Sequence, residues 1–414
     1  MKDAGDFHGS DAGPIPRGWE ASTVGAEFDV RLGKMLDAAR NVGEPKPYLG
    51  NRSVQWGRVD VDDLGMVPLT RAEQLALRLR SGDLLVCEGG EVGRAAIWRD
   101  QLPECYYQKA LHRLRPRNGY SPELMAAYLR FWSEQGALAD YVTQTSIAHL
   151  PREKLVTVPL PRPPSEEQAA IARALSDADA LLTKLDEFIA KKRDIKQAAM
   201  QQLLPGHHRL PGQAEPWLRV RLGDLFDFRN GVNADKRAYG RGIQFINVLE
   251  VITRPHLTAD HVPGRVLLAR GLQETFAVRR GDVLFNRTSE TQGEVALASA
   301  YIDDAPMVFG GFVIRGRPKA QRLDALYAGY GLRAPEVRQQ LVARGQGAIR
   351  SNVGQAELSA VEIRLPCVRE QQAIAAVLSD MDTELAALEA RRDKTRQLKQ
   401  GMMQALLTGR IRLV

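Results

Sequence analysis

The sequence predicts a mixed α/β fold in which two globular domains are separated by two long helices that pair as an antiparallel coiled coil. Two internal repeats predict this architecture. The helix ending KQAAMQQLLPG, at 196–206, returns as KQGMMQALLTG at 399–409. A weaker repeat relates the segments that precede the two helices, and in these segments apolar residues alternate with polar ones as they do in strands.

Length and composition indicate a globular protein of more than one domain. The chain has 414 residues, which is more than one hydrophobic core usually organises. No run of about 18 apolar residues predicts a membrane span. The polar, Gly- and Pro-rich start lacks the apolar stretch of a signal peptide. We therefore expect a cytoplasmic protein with a loose tail at about residues 1–14.

The net charge bears on the kind of partner, and the cysteine content bears on disulfide bonds and metal sites. The 57 Lys and Arg residues exceed the 50 Asp and Glu residues, and the net charge of +7 favours a polyanionic partner without requiring one. The three cysteines, Cys87, Cys105 and Cys367, are widely spaced and form no CxxC pair. The sequence therefore supports neither a disulfide framework nor a zinc site.

The stronger repeat covers the two long helices. A shift of 203 positions aligns EQAAIARALSDAD from Glu167 with EQQAIAAVLSDMD from Glu370, and the alignment continues without a gap to the Arg-Leu pairs at 209–210 and 412–413. In both copies apolar residues recur at spacings of three and four, which is the pattern of a coiled-coil seam. These seam residues are Ile171, Leu175, Ala178, Leu182, Leu185 and Ile189 in the first copy, and Ile374, Leu378, Met381, Leu385 and Leu388 in the second.

Helix signals divide the chain into four segments. Pro164 and the capping pattern that follows it mark a helix start, and Pro205-Gly206 marks the end of that helix. The predicted segments are an N-terminal tail with the first globular domain at 1–164, the first long helix at 165–206, a linker with the second globular domain at 207–366, and the second long helix with a C-terminal tail at 367–414.

The weaker repeat relates the two globular domains. A tryptophan, Trp19 or Trp217, precedes FDVRLG or FDFRNG by nine residues in each domain. The stretch SGDLLVCEGG from Ser81 parallels RGDVLFNRTS from Arg280, and each domain closes on an alternating strand that ends Leu-Pro. The position of the tryptophans before a strand favours core packing over stacking on a base.

These motifs together resemble the specificity subunit of type I DNA restriction-modification systems. A strand ending Leu-Pro, a proline-rich joint, EQxxIAxxLSxxD, a long basic helix and KQxxMQxLLxGxxRL occur twice, so that the resemblance spans nearly the whole chain. The GD element in each globular domain is similar to the family's target recognition domains. The copies differ at one position, because Glu88 stands where such domains often carry a basic residue and Arg287 stands there in the second copy.

The resemblance implies a non-catalytic DNA-binding subunit. Each target recognition domain would read one half of a bipartite target, and the helices would act as a spacer and as the docking surface for two methyltransferase subunits. S-adenosylmethionine, ATP and magnesium would bind to the methyltransferase and restriction (motor-nuclease) subunits. Because the two domains differ at most positions, the two half-sites should differ. A rigid helix pair would hold the domains near one helical turn of DNA apart.

Residues that can read base edges or hold phosphates are Arg, Lys, Asn and Gln on loops. The candidates are Arg31, Lys34, Asn51, Arg52, Arg94 and Gln144 in the first domain, and Arg229, Asn230, Asn233, Lys236, Arg237, Asn286, Arg287, Arg350 and Asn352 in the second. The ends of the two helices supply the partner-binding candidates Lys196, Gln197, Met200, Gln201, Leu203, Leu204, Lys399, Gln400, Met403, Gln404, Leu406 and Leu407. Alternatively, these helix residues only close the helix pair.

Catalytic signatures are missing from the sequence. It has no GxxxxGK[ST] phosphate loop, and it has no Asn- or Asp-Pro-Pro-aromatic motif of an adenine methyltransferase. These absences argue against a self-contained nuclease or methyltransferase. The sequence is also compatible with a duplicated coiled-coil scaffold that binds only proteins, and with the recognition subunit of a fused type II restriction-methylation enzyme.

Overall fold

The computed structural model describes residues 7–37, 39–144, 148–345 and 351–413, which form two compact units. The first unit contains residues 1–186 and 391–414, and the second contains residues 187–390. The division crosses both long helices. Each unit therefore combines one globular domain with the start of one long helix and the end of the other.

The first unit begins with a mixed α/β domain and runs into a long helix. Its helices are α1 (Val24–Glu27), α2 (Arg71–Leu77), α3 (Pro122–Gln135), α4 (Arg152–Leu155) and the first part of α5 (Ser165–Leu203). Its strands are β1 (Phe7–His8), β2 (Ile15–Pro16), β3 (Glu20–Thr23), β4 (Phe28–Leu32), β5 (Glu44–Leu49), β6 (Val54–Gln55), β7 (Arg58–Val59), β8 (Gly65–Leu69), β9 (Leu84–Cys87), β10 (Ala95–Ile97), β11 (Tyr106–Tyr107), β12 (Leu111–Pro116), β13 (Thr143–Gln144), β14 (Ala148–His149) and β15 (Pro159–Arg162).

The second unit repeats this plan. Its strands are β16 (Leu218–Arg221), β17 (Phe226–Asn230), β18 (Tyr239–Ile246), β19 (His256–Leu257), β20 (Arg265–Val266), β21 (Ala277–Val278), β22 (Val283–Asn286), β23 (Thr288–Ser289), β24 (Ala298–Tyr301), β25 (Met307–Phe309), β26 (Val313–Pro318), β27 (Ser351–Asn352) and β28 (Glu362–Leu365). Its helices are α6 (Leu222–Leu225), α7 (Val248–Thr253), α8 (Arg270–Thr275), α9 (Ala325–Gly331), α10 (Pro335–Arg344), α11 (Gln355–Ser359) and the first part of α12 (Val368–Leu407).

The main sheets have matching strand orders in the two units. The order in the first unit is β10-β9-β12-β4, and in the second it is β24-β22-β26-β17 with β19 added at the β24 edge. The pairs among the matching strands are antiparallel. A second sheet, β11-β5-β8 or β20-β18-β25-β21, contains one parallel pair in each unit. The predicted mixed α/β repeat is confirmed.

The repeated Gly-Asp element is a turn held by an ion pair. Asp83 is buried, accepts a hydrogen bond from the Arg80 backbone N–H at 2.8 Å and pairs with Arg115 at 2.6 Å. In the second unit Asp282 accepts from the Arg279 backbone N–H at 2.9 Å and pairs with Arg317 at 2.7 Å. The hydrogen bond to Asp83 raises the pKa of Arg115. The motif therefore fixes a strand entry in both domains.

The repeated Glu-Gln pair anchors the start of each long helix. The Gln168 side chain donates to the Pro163 carbonyl at 2.8 Å and accepts from the Ser121 backbone N–H at 3.0 Å. Gln371 repeats both bonds, with the Pro366 carbonyl and the Asp324 backbone N–H, each at 2.8 Å. One amide thus joins the helix start to its own domain.

The preceding glutamate ties three segments of each unit together. Glu167 is 0 % exposed, and it accepts hydrogen bonds from Trp19 Nε1 at 2.8 Å and from Arg412 Nη2 at 2.7 Å. In the second unit Glu370, also 0 % exposed, accepts from Trp217 Nε1 at 2.9 Å and from Arg209 Nη2 at 2.7 Å. The entry of the domain, the start of one helix and the residues just beyond the end of the other helix meet at this carboxylate.

The two helices run antiparallel within each unit. In the first unit Lys399 pairs with Asp179 at 2.5 Å and Arg392 pairs with Asp186 at 3.6 Å. In the second unit Lys196 pairs with Asp382, which is the equivalent of the first of these pairs in the 203-residue repeat. Later residues of one helix contact earlier residues of the other, and the predicted seam positions are buried or half-buried. The predicted antiparallel helix pair is confirmed.

We expect Glu167→Ala to lower the free energy of unfolding by about 2–4 kcal/mol, because a buried Trp N–H and an arginine lose their common acceptor. Urea denaturation of the purified chain measures this change. Glu274→Ala is the matched control, since Glu274 pairs with Arg270 at an exposed site and should contribute less than about 0.5 kcal/mol. Equal effects of the two substitutions would contradict the role given to Glu167.

Candidate nucleic-acid interface

The ends of three strands of the main sheet form one surface in the second unit. The Gly231 backbone N–H donates to the Val313 carbonyl at 3.1 Å, and the Arg287 backbone N–H donates to the Phe312 carbonyl at 2.9 Å. These bonds bring the residues that follow β17 and β22 next to the turn that precedes β26. We call this the second strand-end surface, and it consists of Asn230, Asn233, Arg287, Phe312 and Asn352.

Polar side chains predominate on the second strand-end surface. Asn230, Asn233 and Asn352 are exposed, and the Asn352 side chain accepts a hydrogen bond from Thr288 Oγ1 at 2.7 Å. Arg287 is half-buried and donates to the Gly311 carbonyl at 3.4 Å. The sequence predicts four of these five residues, all except Phe312, as DNA contacts. Amide and guanidinium groups gathered at one edge of a sheet can form hydrogen bonds with the edges of bases.

Asn286, in contrast, does not lie at the surface. Its side chain is 0 % exposed, and Nδ2 donates to the Glu294 carbonyl at 2.9 Å. A side chain in this position holds the following loop and cannot reach a duplex. The prediction of Asn286 as a DNA contact is therefore wrong, and its half-buried neighbour Arg287 is the residue of this pair that reaches the surface.

The remaining basic candidates of the second domain lie on other exposed segments. Arg229 is exposed on β17, and its Nη1 donates to the Thr275 carbonyl at 3.2 Å. Lys236 and Arg237 are exposed on the short 3₁₀ turn that precedes β18. Arg350 lies outside the described residues.

The first unit builds the same backbone surface with different side chains. The Gly33 backbone N–H donates to the Leu111 carbonyl at 3.2 Å, and the Glu88 backbone N–H donates to the Ala110 carbonyl at 2.9 Å. Glu88 thus occupies the place of Arg287, and Ala110 occupies the place of Phe312. Lys109 on the same turn is exposed and was not among the residues predicted from the sequence. We call this the first strand-end surface, and it consists of Lys34, Glu88, Lys109 and Ala110.

Several candidates of the first domain are engaged inside the protein. Lys34 forms an ion pair with Glu73, which leaves its side chain 16 % exposed, and the hydrogen bond from Lys34 lowers the pKa of Glu73. Arg94 donates to the Asn51 carbonyl at 2.9 Å, and the Asn51 side chain donates to the Gly89 carbonyl at 3.2 Å. Asn51 and Arg94 therefore join two loops of the domain.

Two candidates of the first domain present more of their side chains to solvent. Arg52 is exposed on the 3₁₀ turn next to Asn51. Arg31 is exposed on β4 and donates to the Ala76 carbonyl at 3.0 Å, as Arg229 does to Thr275 in the other unit. Gln144 ends β13, and its side chain lies outside the described part of the chain.

The helix residues nominated for partner binding divide into two groups. Buried in the cores of their units are Leu203, Leu204, Met403, Leu406 and Leu407. These five were predicted as partner contacts, but the structure buries them among core residues of the globular domains and of the long helices. Lys196 and Lys399 form the ion pairs given above, and Met200 is half-buried. The exposed members are Gln197, Gln201, Gln400 and Gln404.

Within the described ranges, no group of three His, Cys, Asp or Glu side chains is arranged to hold a metal ion. Among the helices of the described part of the chain, none combines the length and the apolar character that crossing a membrane requires.

Comparison with known proteins agrees with the doubled architecture. The profile of the family described as "Type I restriction modification DNA specificity domain" matches residues 16–196 and 214–399. The putative type I restriction enzyme MjaX specificity subunit of Methanocaldococcus jannaschii is 23 % identical over 432 aligned positions, covering 99 % of this chain and 97 % of that one.

Two solved structures are similar in fold. The S subunit of a type I restriction-modification system from M. genitalium matches with a TM-score of 0.57 at 13 % identity, over 94 % of this chain and 96 % of that one. The HsdS subunit from Thermoanaerobacter tengcongensis matches with a TM-score of 0.51 at 18 % identity, over 96 % and 98 %. At these identities the likeness establishes the fold.

We expect Asn286→Ala to lower the free energy of unfolding by about 1–2 kcal/mol, because the Glu294 carbonyl loses a buried donor. Asn230→Ala, at an exposed position of the second strand-end surface, should change the free energy of unfolding by less than about 0.5 kcal/mol. Urea denaturation of the two variants makes the comparison. Equal stability of the Asn286 variant and the parent would contradict the positioning role of Asn286.

Proposed function

The chain belongs to the family of type I restriction-modification DNA specificity domains, and we propose that it directs partner adenine-methyltransferase subunits to a split, asymmetric DNA target. Family membership makes the chain a DNA-recognition subunit, in which the two globular domains are target recognition domains. It is not itself an enzyme. The proposal concerns the form of the target and the partners that the chain brings to it.

The observation that carries the proposal is a common scaffold with different surface chemistry. Both strand-end surfaces are held by equivalent backbone hydrogen bonds, yet Glu88 stands in the first unit where Arg287 stands in the second, and both residues are half-buried. An arginine pairs well with guanine, whereas a carboxylate accepts from the amino group of cytosine. Two surfaces with opposite charge at an equivalent position would read different bases. This supports a bipartite target with unlike halves.

Contacts to DNA would divide by chemistry. We assign base reading to Asn230, Asn233, Arg287 and Asn352 in the second unit, where amides suit adenine and the guanidinium suits guanine. Phosphate contacts suit exposed basic residues, which fix the register of a protein on the duplex without selecting bases. For this role we propose Arg31, Arg52, Lys109, Arg229, Lys236 and Arg237.

Partner docking would use the outward faces of the long helices. Gln197, Gln201, Gln400 and Gln404 are exposed near the two helix ends, and the 203-residue repeat relates the first two to the last two. Repeated patches of this kind suit two copies of one methyltransferase subunit. S-adenosylmethionine would bind to the methyltransferase subunits, and ATP and magnesium would bind to the restriction subunits. The complex would act on DNA in the cytoplasm.

We expect cells that carry this chain with its methyltransferase to methylate adenine in a split, asymmetric sequence, and cells with the methyltransferase alone to show no such motif. Single-molecule sequencing of their DNA measures this difference. A stable complex of the two proteins that leaves DNA unmodified and binds duplexes without sequence preference would contradict the proposal and favour a protein-binding scaffold.

We expect Arg287→Ala to relax one half of the motif and leave the other half unchanged, because only the second unit loses a base-reading group. The free energy with which the complex binds its target should become less favourable by about 1–3 kcal/mol. Fluorescence anisotropy with the target duplex measures the affinity, and sequencing identifies the relaxed half. Arg270→Ala removes an exposed arginine of the same unit as a control. An unchanged motif would remove Arg287 from the readout.

A further inference from the structure

The second strand-end surface carries an exposed aromatic ring. Phe312 lies in the short turn between β25 and β26, and its side chain is 61 % exposed. Phenylalanine is a large apolar residue that ordinarily gains free energy from burial. Single exposed apolar residues are common on protein surfaces, so the exposure of Phe312 matters here because of its position among the polar groups of the second strand-end surface.

The turn that holds Phe312 is fixed by backbone hydrogen bonds. The Phe312 carbonyl accepts a hydrogen bond from the Arg287 backbone N–H at 2.9 Å. The Val313 N–H donates to the Gly310 carbonyl at 2.9 Å, and the Gly310 N–H donates to the Ile246 carbonyl at 3.0 Å. A side chain at residue 310 would place its Cβ 2.8 Å from the Phe245 ring. The turn therefore needs glycine there, and it presents Phe312 from a defined backbone position.

The fold does not require an aromatic residue at this place. In the first unit Ala110 occupies the equivalent position, with the equivalent backbone bond from Glu88 at 2.9 Å. The same turn thus forms with a methyl group in place of a ring. The ring is a property of one recognition surface and not of the scaffold, as expected of a residue that selects a ligand.

Hydrogen-bonding groups lie beside Phe312 on the second strand-end surface. Arg287 is its backbone partner on the neighbouring strand end, and the Asn233 side chain packs against Gly311, the residue before Phe312. Such groups read the polar edges of bases in the major groove. A phenyl ring can form no hydrogen bonds of that kind. The apolar feature offered by the major groove is the 5-methyl group of thymine.

We propose that Phe312 is a specificity-determining residue whose ring contacts the 5-methyl group of a thymine in the half-site read by the second unit. This inference rests on the proposed function, because it assumes that the second strand-end surface faces DNA. It assigns one base of that half-site by its chemistry. It also predicts that the first unit, with Ala110 at this position, makes a smaller contact there.

The test uses the full chain in complex with its methyltransferase and a duplex that carries the methylated motif. The half-site of the second unit is the half that Arg287→Ala relaxes. Each thymine in that half is replaced singly by deoxyuridine, which removes only the 5-methyl group. The affinities of the unaltered complex and of the Phe312→Ala complex are then measured on every duplex by fluorescence anisotropy.

One deoxyuridine replacement should weaken the unaltered complex about threefold to tenfold, in keeping with loss of one buried methyl group. Phe312→Ala should bind the thymine duplex about tenfold or more weakly, and its affinity should not change further with that replacement. The protein and DNA changes are then not additive, as expected for two groups in contact. Phe312→Leu, which keeps an apolar side chain, should bind with intermediate affinity.

Leu218→Ala is the matched control, because Leu218 is 57 % exposed on β16 of the same unit, where it pairs with the strand that leads into the second long helix. It should bind like the parent, and all variants should show the same thermal unfolding temperature. Unchanged affinity of Phe312→Ala would overturn the inference, as would a half-site without thymine. Additive losses would also overturn it, since they would mean that the ring contacts DNA elsewhere. An unaltered complex that selects no sequence would overturn the proposed function itself.

Discussion

The buried glutamate at the start of each long helix is the interaction on which each unit depends. Glu167 joins Trp19, at the entry of the first domain, to Arg412 beyond the end of the second helix, and Glu370 does the same with Trp217 and Arg209. A buried carboxylate is stable only if its hydrogen-bonding capacity is satisfied, so both donors must be in place. The domain and both helix segments are thereby held to one register.

Because this anchor does not include the strand-end residues, the side chains of the two strand-end surfaces can vary without altering it. The two units share their sheet order, the Gly-Asp turn and the glutamine at the helix start. They differ in the side chains that leave the strand ends, where Glu88 and Arg287 carry opposite charges. A duplicated scaffold with independent surfaces is well suited to reading two unlike sequences, because a change in one surface leaves the packing of the other unit intact.

Much of this fold could be predicted from the sequence, because its strongest determinants are periodic. The helix pair followed from apolar residues spaced by three and four, and the two domains followed from a repeat that pairs one tryptophan with one Leu-Pro strand. The surface could not be predicted as well. Asn286 and Arg287 are adjacent and both polar, yet only the strand pairing decides which one is buried. Leu203 and its repeat mate Leu406 have the composition of a partner-binding patch, but packing places them in the cores. Phe312 was not predicted, because the candidates were chosen among Arg, Lys, Asn and Gln residues.

The division of the chain into units has a consequence for synthesis on the ribosome. The second unit is one continuous stretch, 187–390, so it can fold as soon as that stretch has emerged. The first unit includes residues 391–414, and Tyr128 donates a hydrogen bond to the Leu407 carbonyl at 2.9 Å. The core of the first unit can therefore close only after the whole second unit has been synthesised, when Met403, Leu406 and Leu407 become available. A chain that ends soon after residue 390 would contain a complete second unit, but the core of its first unit would lack Met403, Leu406 and Leu407.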